Sequence, residues 1–255
     1  MRQIAITNVS TVVTDADVQA ALAALQIQVS RDFAPIWDLD AKLFFLPSTQ
    51  KPDMGVSQIL VADTSDQAGA LGYHELTANG DPIGYCFAKS DIDDGVSWVV
   101  TLSHELLELI ADPNINQVAE VDNSDGSITF YAYEVCDACE DDSYGYQVQD
   151  SSGNAMTLPS GKPLLVSDFV TPEFFMSPAP QHVAFDVRGH VTAPLQILQN
   201  GYLSILQITN PGQGWQQVTA EKGTSRPVPG GKAAHVGSRR MRRRMPDSLW
   251  RKSAR

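Results

Sequence analysis

Residues 103–113 read SHELLELIADP. On a helix His104 and Glu108 stand four positions apart and share one face, one turn from each other. An imidazole and a carboxylate at that spacing can reach a single metal ion. Glu105 lies about 100° further round, beside such an ion rather than under it. A general base in a hydrolytic site belongs there, one water away from the ion. Leu102, Leu106, Leu107, Leu109 and Ile110 surround these groups with apolar side chains, which implies a buried helix and a dry site. Asp112 continues the polar stripe at i+8. The competing reading is a helix with a solvated polar edge, on which Glu108 merely supports His104.

A third ligand would come from YEVCDACEDD at 133–142, where Glu134, Asp137 and Glu140 recur every three residues at the end of an expected strand. In the same stretch Cys136 and Cys139 form a lone C-x-x-C, and a structural four-ligand zinc site usually needs a second pair. These thiols read as two small, semi-buried residues that stand close to the acids. His74, in LGYHEL, lies outside the helix; it is either an ordinary strand or loop residue or a cleft residue that polarises a substrate carbonyl. DNSDGS at 122–127 has part of a calcium-loop pattern, but Tyr133 stands where the terminal Glu is required, so a hairpin turn is expected. The chain contains no Gly-rich phosphate loop and no G-x-S-x-G, which argues against nucleotide hydrolysis and serine chemistry.

These residues need elements to position them. Thr14 followed by Asp15 and Asp17 marks a helix start, and Val18, Leu22, Leu25, Val29 and Phe33 carry that helix over 15–34, with Pro35 ending it. Strands are expected at 41–47, 57–63 and 82–89, a loop at 90–95, and a buried helix at 96–112 that stops before Pro113. No helix fits between the first three strands, so antiparallel pairs, in a mixed or antiparallel sheet packed on the buried helix, and an α+β fold are expected rather than a doubly wound one. Further strands are expected at 128–135 and 144–150, near 182–187 and 191–198, and in YLSILQIT. This divides the chain into 1–113 with the candidate helix, a loop-rich β part at 114–222, and a tail at 223–255.

An H-E-x-x-E helix preceded by three short strands and an N-terminal helix resembles the N-terminal half of a zincin metallopeptidase. The resemblance implies His104 as a ligand, Glu105 as general base, Glu134 as the downstream ligand, and PIGYCFAK as the edge strand that holds substrate. It implies zinc as cofactor and a peptide or protein as substrate. Glu108, standing where the family has its second His, is the departure. One His with two carboxylates is a harder, more negative donor set, which brings Mn²⁺ and Ca²⁺ forward as alternatives. SHELLELIADP, YEVCDACEDDSYGY and LLVSDFVTPEFF together also resemble proteins of bacteria and their phages to which no activity is attached.

Charge separates the chain into two physical objects. Residues 1–225 hold 8 Lys/Arg against 29 Asp/Glu, and residues 226–255 hold 10 against one. The Arg-rich tail, SRRMRRRMPDSLWRKSAR, suits nucleic acid, an acidic protein surface or an anionic membrane, and its composition predicts disorder without a partner. The first residues, MRQIAITNVSTVV, are too polar for a secretory signal. No run of 18 apolar residues suggests a transmembrane helix. Three cysteines fit a reducing compartment. A cytoplasmic or virion-associated protein is expected. The expected function is metal-dependent hydrolysis, most simply of a peptide. The alternative is a non-catalytic structural or binding component of a phage particle or bacterial assembly.

Overall fold

The structure is a computed structural model. It describes residues 1–67, 70–176, 178, 180–208 and 214–220, and the backbone of 225–227. The chain opens with strand β1 (Arg2–Asn8) and helix α1 (Asp15–Ile27), continues through a wide π-helical turn (Gln28–Phe33) into the short helix α2 (Ala34–Trp37), and returns as strand β2 (Ala41–Phe45). Strands β3 (Ser57–Ala62), β4 (Gly72–Leu76) and β5 (Pro82–Phe87) follow, then helices α3 (Ala88–Asp93) and α4 (Trp98–Ala111).

These five strands form one sheet in the order β2-β1-β3-β5-β4. Pairs β1/β2, β1/β3 and β3/β5 are parallel, and only the hairpin β4/β5 is antiparallel. The class is α+β, but the expected antiparallel pairing of the first strands is corrected. The reason is β1, which the sequence reading left unassigned: with it in place, α1 becomes the crossover between two parallel strands. PIGYCFAK is likewise not the edge. Strand β5 is paired on both sides, and β4, formed by LGYHEL, takes the outer position.

Helix α1 begins as its sequence predicts. The Thr14 hydroxyl accepts from Asp17 N at 3.1 Å and the Asp17 carboxylate accepts from Thr14 N at 2.9 Å, a reciprocal cap. Pro35 does not end the helical run. It occupies the first turn of α2, where a missing N–H costs nothing, and the run stops only at Asp38, with φ 53°. The expected loop at 90–95 is largely α3. Every residue of α4 is buried, because the helix is covered by β4, β5 and the later strand β9 (Leu165–Val166).

After α4, β6 (Val118–Asp122) and β7 (Ile128–Ala132) form a hairpin whose turn is DNSDGS, with Gly126 at φ 82°. A second, antiparallel sheet runs β12-β11-β10-β7-β6, where β10 is Tyr202–Gln207, β11 is Gln216–Thr219 and β12 is Ser225–Pro227. Strand β8 (Tyr146–Gln147) pairs only with β9. Residues 182–187 and 191–198 form no strand. They contribute one isolated bridge, Val170 to Asp186, since the Gly- and Pro-rich chain around them gives no continuous ladder. Of the expected disordered tail, Ser225–Pro227 pairs with β11, and the remainder lies outside the described residues.

One core joins the two halves: Ile4, Leu25, Ile59, Leu102 and Leu106 pack in the same apolar cluster as Val135, Val166, Phe169 and Phe174. Gln28 fastens it. Its Nε2 donates to Ser167 O at 2.9 Å, its Oε1 accepts from Ser103 Oγ at 2.7 Å, and that hydroxyl accepts from Ser167 N at 3.0 Å. All three residues are buried. A Gln28→Ala variant strands two buried partners and is expected to lose about 2–3 kcal/mol of stability, measured by urea denaturation; a loss below about 0.5 kcal/mol would show the network is not structural.

Candidate metal centre

Three elements converge on one buried spot. Helix α4 supplies His104, Glu105 and Glu108. The edge strand β4 supplies His74, and the segment after β7 supplies Glu134 and Asp137, with Asp137 opening a single 3-10 turn to Cys139. All six side chains are buried, none more than 3% exposed. This excludes the reading in which the polar edge of α4 is solvated.

The helix spacing works as expected. His104 Nε2 lies 3.1 Å from Glu108 Oε1 and 3.3 Å from Asp137 Oδ1. Four donors about 2.0–2.1 Å from a tetrahedral zinc sit about 3.3 Å from one another, so each of these two contacts of His104 has ligand spacing, Glu108 in one group and Asp137 in another that shares the ring. The Cys136 sulfur belongs to the same neighbourhood as His104 and Glu108, and Glu140 groups with His104 and Asp137 at the half-exposed rim. Cys136 N also donates to Glu108 Oε1, at 3.3 Å.

The other oxygen of Glu108 faces His74. His74 Nδ1 lies 3.8 Å from Glu108 Oε2 and 3.5 Å from Glu105 Oε2, and His74 Nε2 lies 4.0 Å from Glu134 Oε2. Neither ring nitrogen of His74 makes a hydrogen bond. Glu105 is wedged between helix and strand: a Cβ added to Gly72 would lie 2.7 Å from Glu105 Oε1 and 2.7 Å from Thr101 Cγ2. Position 72 therefore has to be glycine for Glu105 to reach the cluster.

Asp112 points elsewhere. Its two oxygens accept from Asn116 N at 3.1 Å and Gln117 N at 3.0 Å, so it anchors the loop after α4. The thiols of Cys136 and Cys139 are free and buried, and burial raises both well above the ordinary thiol range. Cys86 lies apart, its sulfur donating to Trp98 O at 3.2 Å. A second mixed group went unnoticed in the sequence: His190 Nδ1 lies 3.1 Å from Asp168 Oδ2 and 3.5 Å from Asp186 Oδ2. These residues are spread over a loop-rich stretch with no periodicity, and no sequence signal pairs them.

A pocket of about 150 Å³ reaches the centre at His104. His104 and Thr101 form part of its wall, and Glu140, Asp141, Asp142 and Asn200 stand around it. The entrance is acidic.

Electrostatics follow from burial. The four carboxylates of Glu105, Glu108, Glu134 and Asp137 outnumber the two imidazoles, so these six groups carry −2 even with both rings protonated. Burial, opposed by His104 and reinforced by Asp137 and Glu134, raises the Glu108 carboxyl to about 8. Burial alone would lower His74, but Glu105, Glu134 and Glu108 outweigh it and push the ring up to about 9. A buried group set of this kind needs protons or a cation.

Compared with known protein families, curated proteins and solved structures, the chain finds no match in any of the three.

Both raised groups give the ion-free protein the same pH slope. The contribution of His74 is complete below its unfolded value of about 6.5 and is lost as pH rises through about 9. That of Glu108 is complete below about 4.5 and is lost as pH rises through about 8. Thermal melts of chelator-treated protein are expected to show stability falling from pH 5 to pH 9, and a divalent cation should flatten the fall. A flat profile without any cation would contradict this account of the cluster.

Proposed function

We propose that the chain is a metal-dependent hydrolase with a zincin-like layout, acting on an amide bond in a peptide. His104 Nε2, Glu108 Oε1 and Asp137 Oδ1 would hold the ion. The observation that carries this reading is that Glu108 Oε1 and Asp137 Oδ1 lie 3.1 and 3.3 Å from His104 Nε2, inside a set of buried acids that their imidazoles cannot neutralise. Asp137 takes the place that the family resemblance gives to Glu134, because the ion-pair contact of Glu134 runs to His74 rather than to the His104 group. Zinc, Mn²⁺ and Ca²⁺ all suit a donor set with two carboxylates.

When bound, the ion would polarise the scissile carbonyl and bring the pKa of a water toward neutrality. The protein supplies the rest. Glu105, adjacent to His104 on α4 and packed against Gly72, takes the proton from the attacking water and returns it to the leaving amine. A protonated His74, beside Glu105 and Glu108, offers a fixed positive charge to a developing oxyanion. The apolar faces of α4 keep the centre dry, which strengthens each of these interactions. The 150 Å³ pocket takes a side chain or a chain end rather than a long extended segment.

That enclosure favours a second reading. A buried centre with a small pocket at His104 also suits a structural ion in a non-catalytic protein, such as a component of a phage particle or bacterial assembly. The Arg-rich tail would then be the element that engages nucleic acid or an acidic protein surface; it lies outside the described residues. No helix among the described residues is long and apolar enough to cross a membrane.

Elemental analysis of the purified protein, with cleavage of a peptide mixture by wild type and Glu105→Gln, separates the two. The enzyme reading expects bound metal and a loss of about 10²–10⁴-fold in the variant, the range for removing a general base. Bound metal with no cleavage by either protein selects the structural reading. Absence of bound metal and equal cleavage by both proteins would sink the first.

A further inference from the structure

Glu108 presents its two oxygens to two different donor groups. Oε1 faces His104, 3.1 Å away, with Asp137 and the Cys136 sulfur nearby. Oε2 faces His74, 3.8 Å away, whose Nδ1 also lies 3.5 Å from Glu105 Oε2. Each group satisfies the spacing of a cation site by itself: one is His104, Glu108 and Cys136, the other His74, Glu105 and Glu108. A carboxylate whose two oxygens serve two ligand sets is the arrangement that bridges two ions, about 3.5–4 Å apart in two-metal sites.

We propose that the centre holds two divalent cations bridged by Glu108, the second bound by His74 Nδ1, Glu105 and Glu108 Oε2. The proposal rests on the reading that His104, Glu108 and Asp137 hold a first ion.

Three observations carry it beyond that reading. The first is His74 itself, which is fully buried and points both ring nitrogens at carboxylates without a hydrogen bond to either. The second is the other nitrogen of that ring. His74 Nε2 lies 4.0 Å from Glu134 Oε2, and a carboxylate behind the far nitrogen is the usual way a ligating His is oriented and its tautomer fixed. Glu134 thus acquires a role that the first ion does not give it. The third is charge. Glu105, Glu108, Glu134 and Asp137 carry four negative charges when ionised, two divalent cations supply four positive ones, and both imidazoles are then neutral, as ligands must be. One cation leaves −2 among the same groups, which buried side chains would have to cancel by retaining two protons.

The rival is a one-ion centre in which His74 stays protonated and stands in for the second cation. The two differ in what His74 does and in what Glu105 can do. As ligands of the second ion, Glu105 no longer takes a proton from water and His74 no longer carries a charge, so the proton-transfer and oxyanion roles given to them above belong to the one-ion state alone and the two states differ in reactivity.

The test uses the whole chain, stripped with a chelator and refilled by dialysis against Mn²⁺. Wild type is expected to bind at least two ions per chain and to give the spectrum of an exchange-coupled Mn²⁺ pair in electron paramagnetic resonance. His74→Gln should lower the count by one and leave only the signal of isolated Mn²⁺. A wild-type count of one overturns the proposal while leaving the first site standing; a count of zero removes both. An unchanged count in a folded His74→Gln protein also overturns it, since the second ion would then sit elsewhere. Should the variant fail to fold by circular dichroism, the wild-type spectrum decides alone: a coupled pair supports the bridge, and isolated Mn²⁺ overturns it.

Discussion

Everything around α4 depends on how four carboxylates and two imidazoles are kept inside a dry core. Leaving one such charge uncompensated in a protein interior costs several kcal/mol, comparable with the whole stability of a domain. Glu108 carries most of this strain. It lies within 4 Å of both histidines, 3.1 Å from His104 and 3.8 Å from His74, and burial raises its carboxyl to about 8. The surrounding fold makes the arrangement possible. Helix α4 buries apolar residues on its remaining faces, Gly72 makes room for Glu105, and the edge strand lowers His74 onto the helix. The turn at Asp137–Cys139 closes the fourth side, fixed by the Val170 N to Val135 O bond at 2.8 Å.

The acidic surface has a place in the same account. Glu140, Asp141 and Asp142 stand around the pocket above His104. A mouth lined by one sign of charge focuses the field and raises the local concentration of cations. The same field disfavours anions at this mouth. The body of the chain, with 29 acids against 8 basic residues over 1–225, extends this bias over its surface, and the basic tail stands against it.

Helix α4 was legible in the sequence because burial on all sides leaves an unmistakable trace: a long apolar run whose few polar residues cannot all be solvated. The spacing of His104 and Glu108 was legible for the same reason that any i,i+4 pair is, since helix geometry alone determines it. Strand β1 was not, because seven residues of mixed character at the start of the chain look polar until a sheet covers them. Missing it reversed the expected strand directions. The π-helical turn left no signal at all, since Gln28–Phe33 keeps the same apolar repeat as the helix before it. His74 stood out only as one residue among several readings. A strand places a side chain by its register with a distant partner, and Tyr73↔Tyr85 and His74↔Gly84 cannot be inferred from LGYHEL. Glu134 was placed ahead of Asp137 by the family resemblance, whereas Asp137 is the one that lies 3.3 Å from His104, because the 3-10 turn that brings it round is set by tertiary contacts.

Glu108 in place of a second imidazole is the departure that the structure makes intelligible. A carboxylate offers two equivalent oxygens at an angle suited to two neighbours, and here the two oxygens face different histidines. The substitution is therefore coupled to His74: a helix with two histidines would leave the ring on β4 facing only Glu105 and Glu134. On the two-ion proposal the edge strand would supply the second imidazole and the helix the bridge, since Glu108 Oε1 faces His104 and Oε2 faces His74.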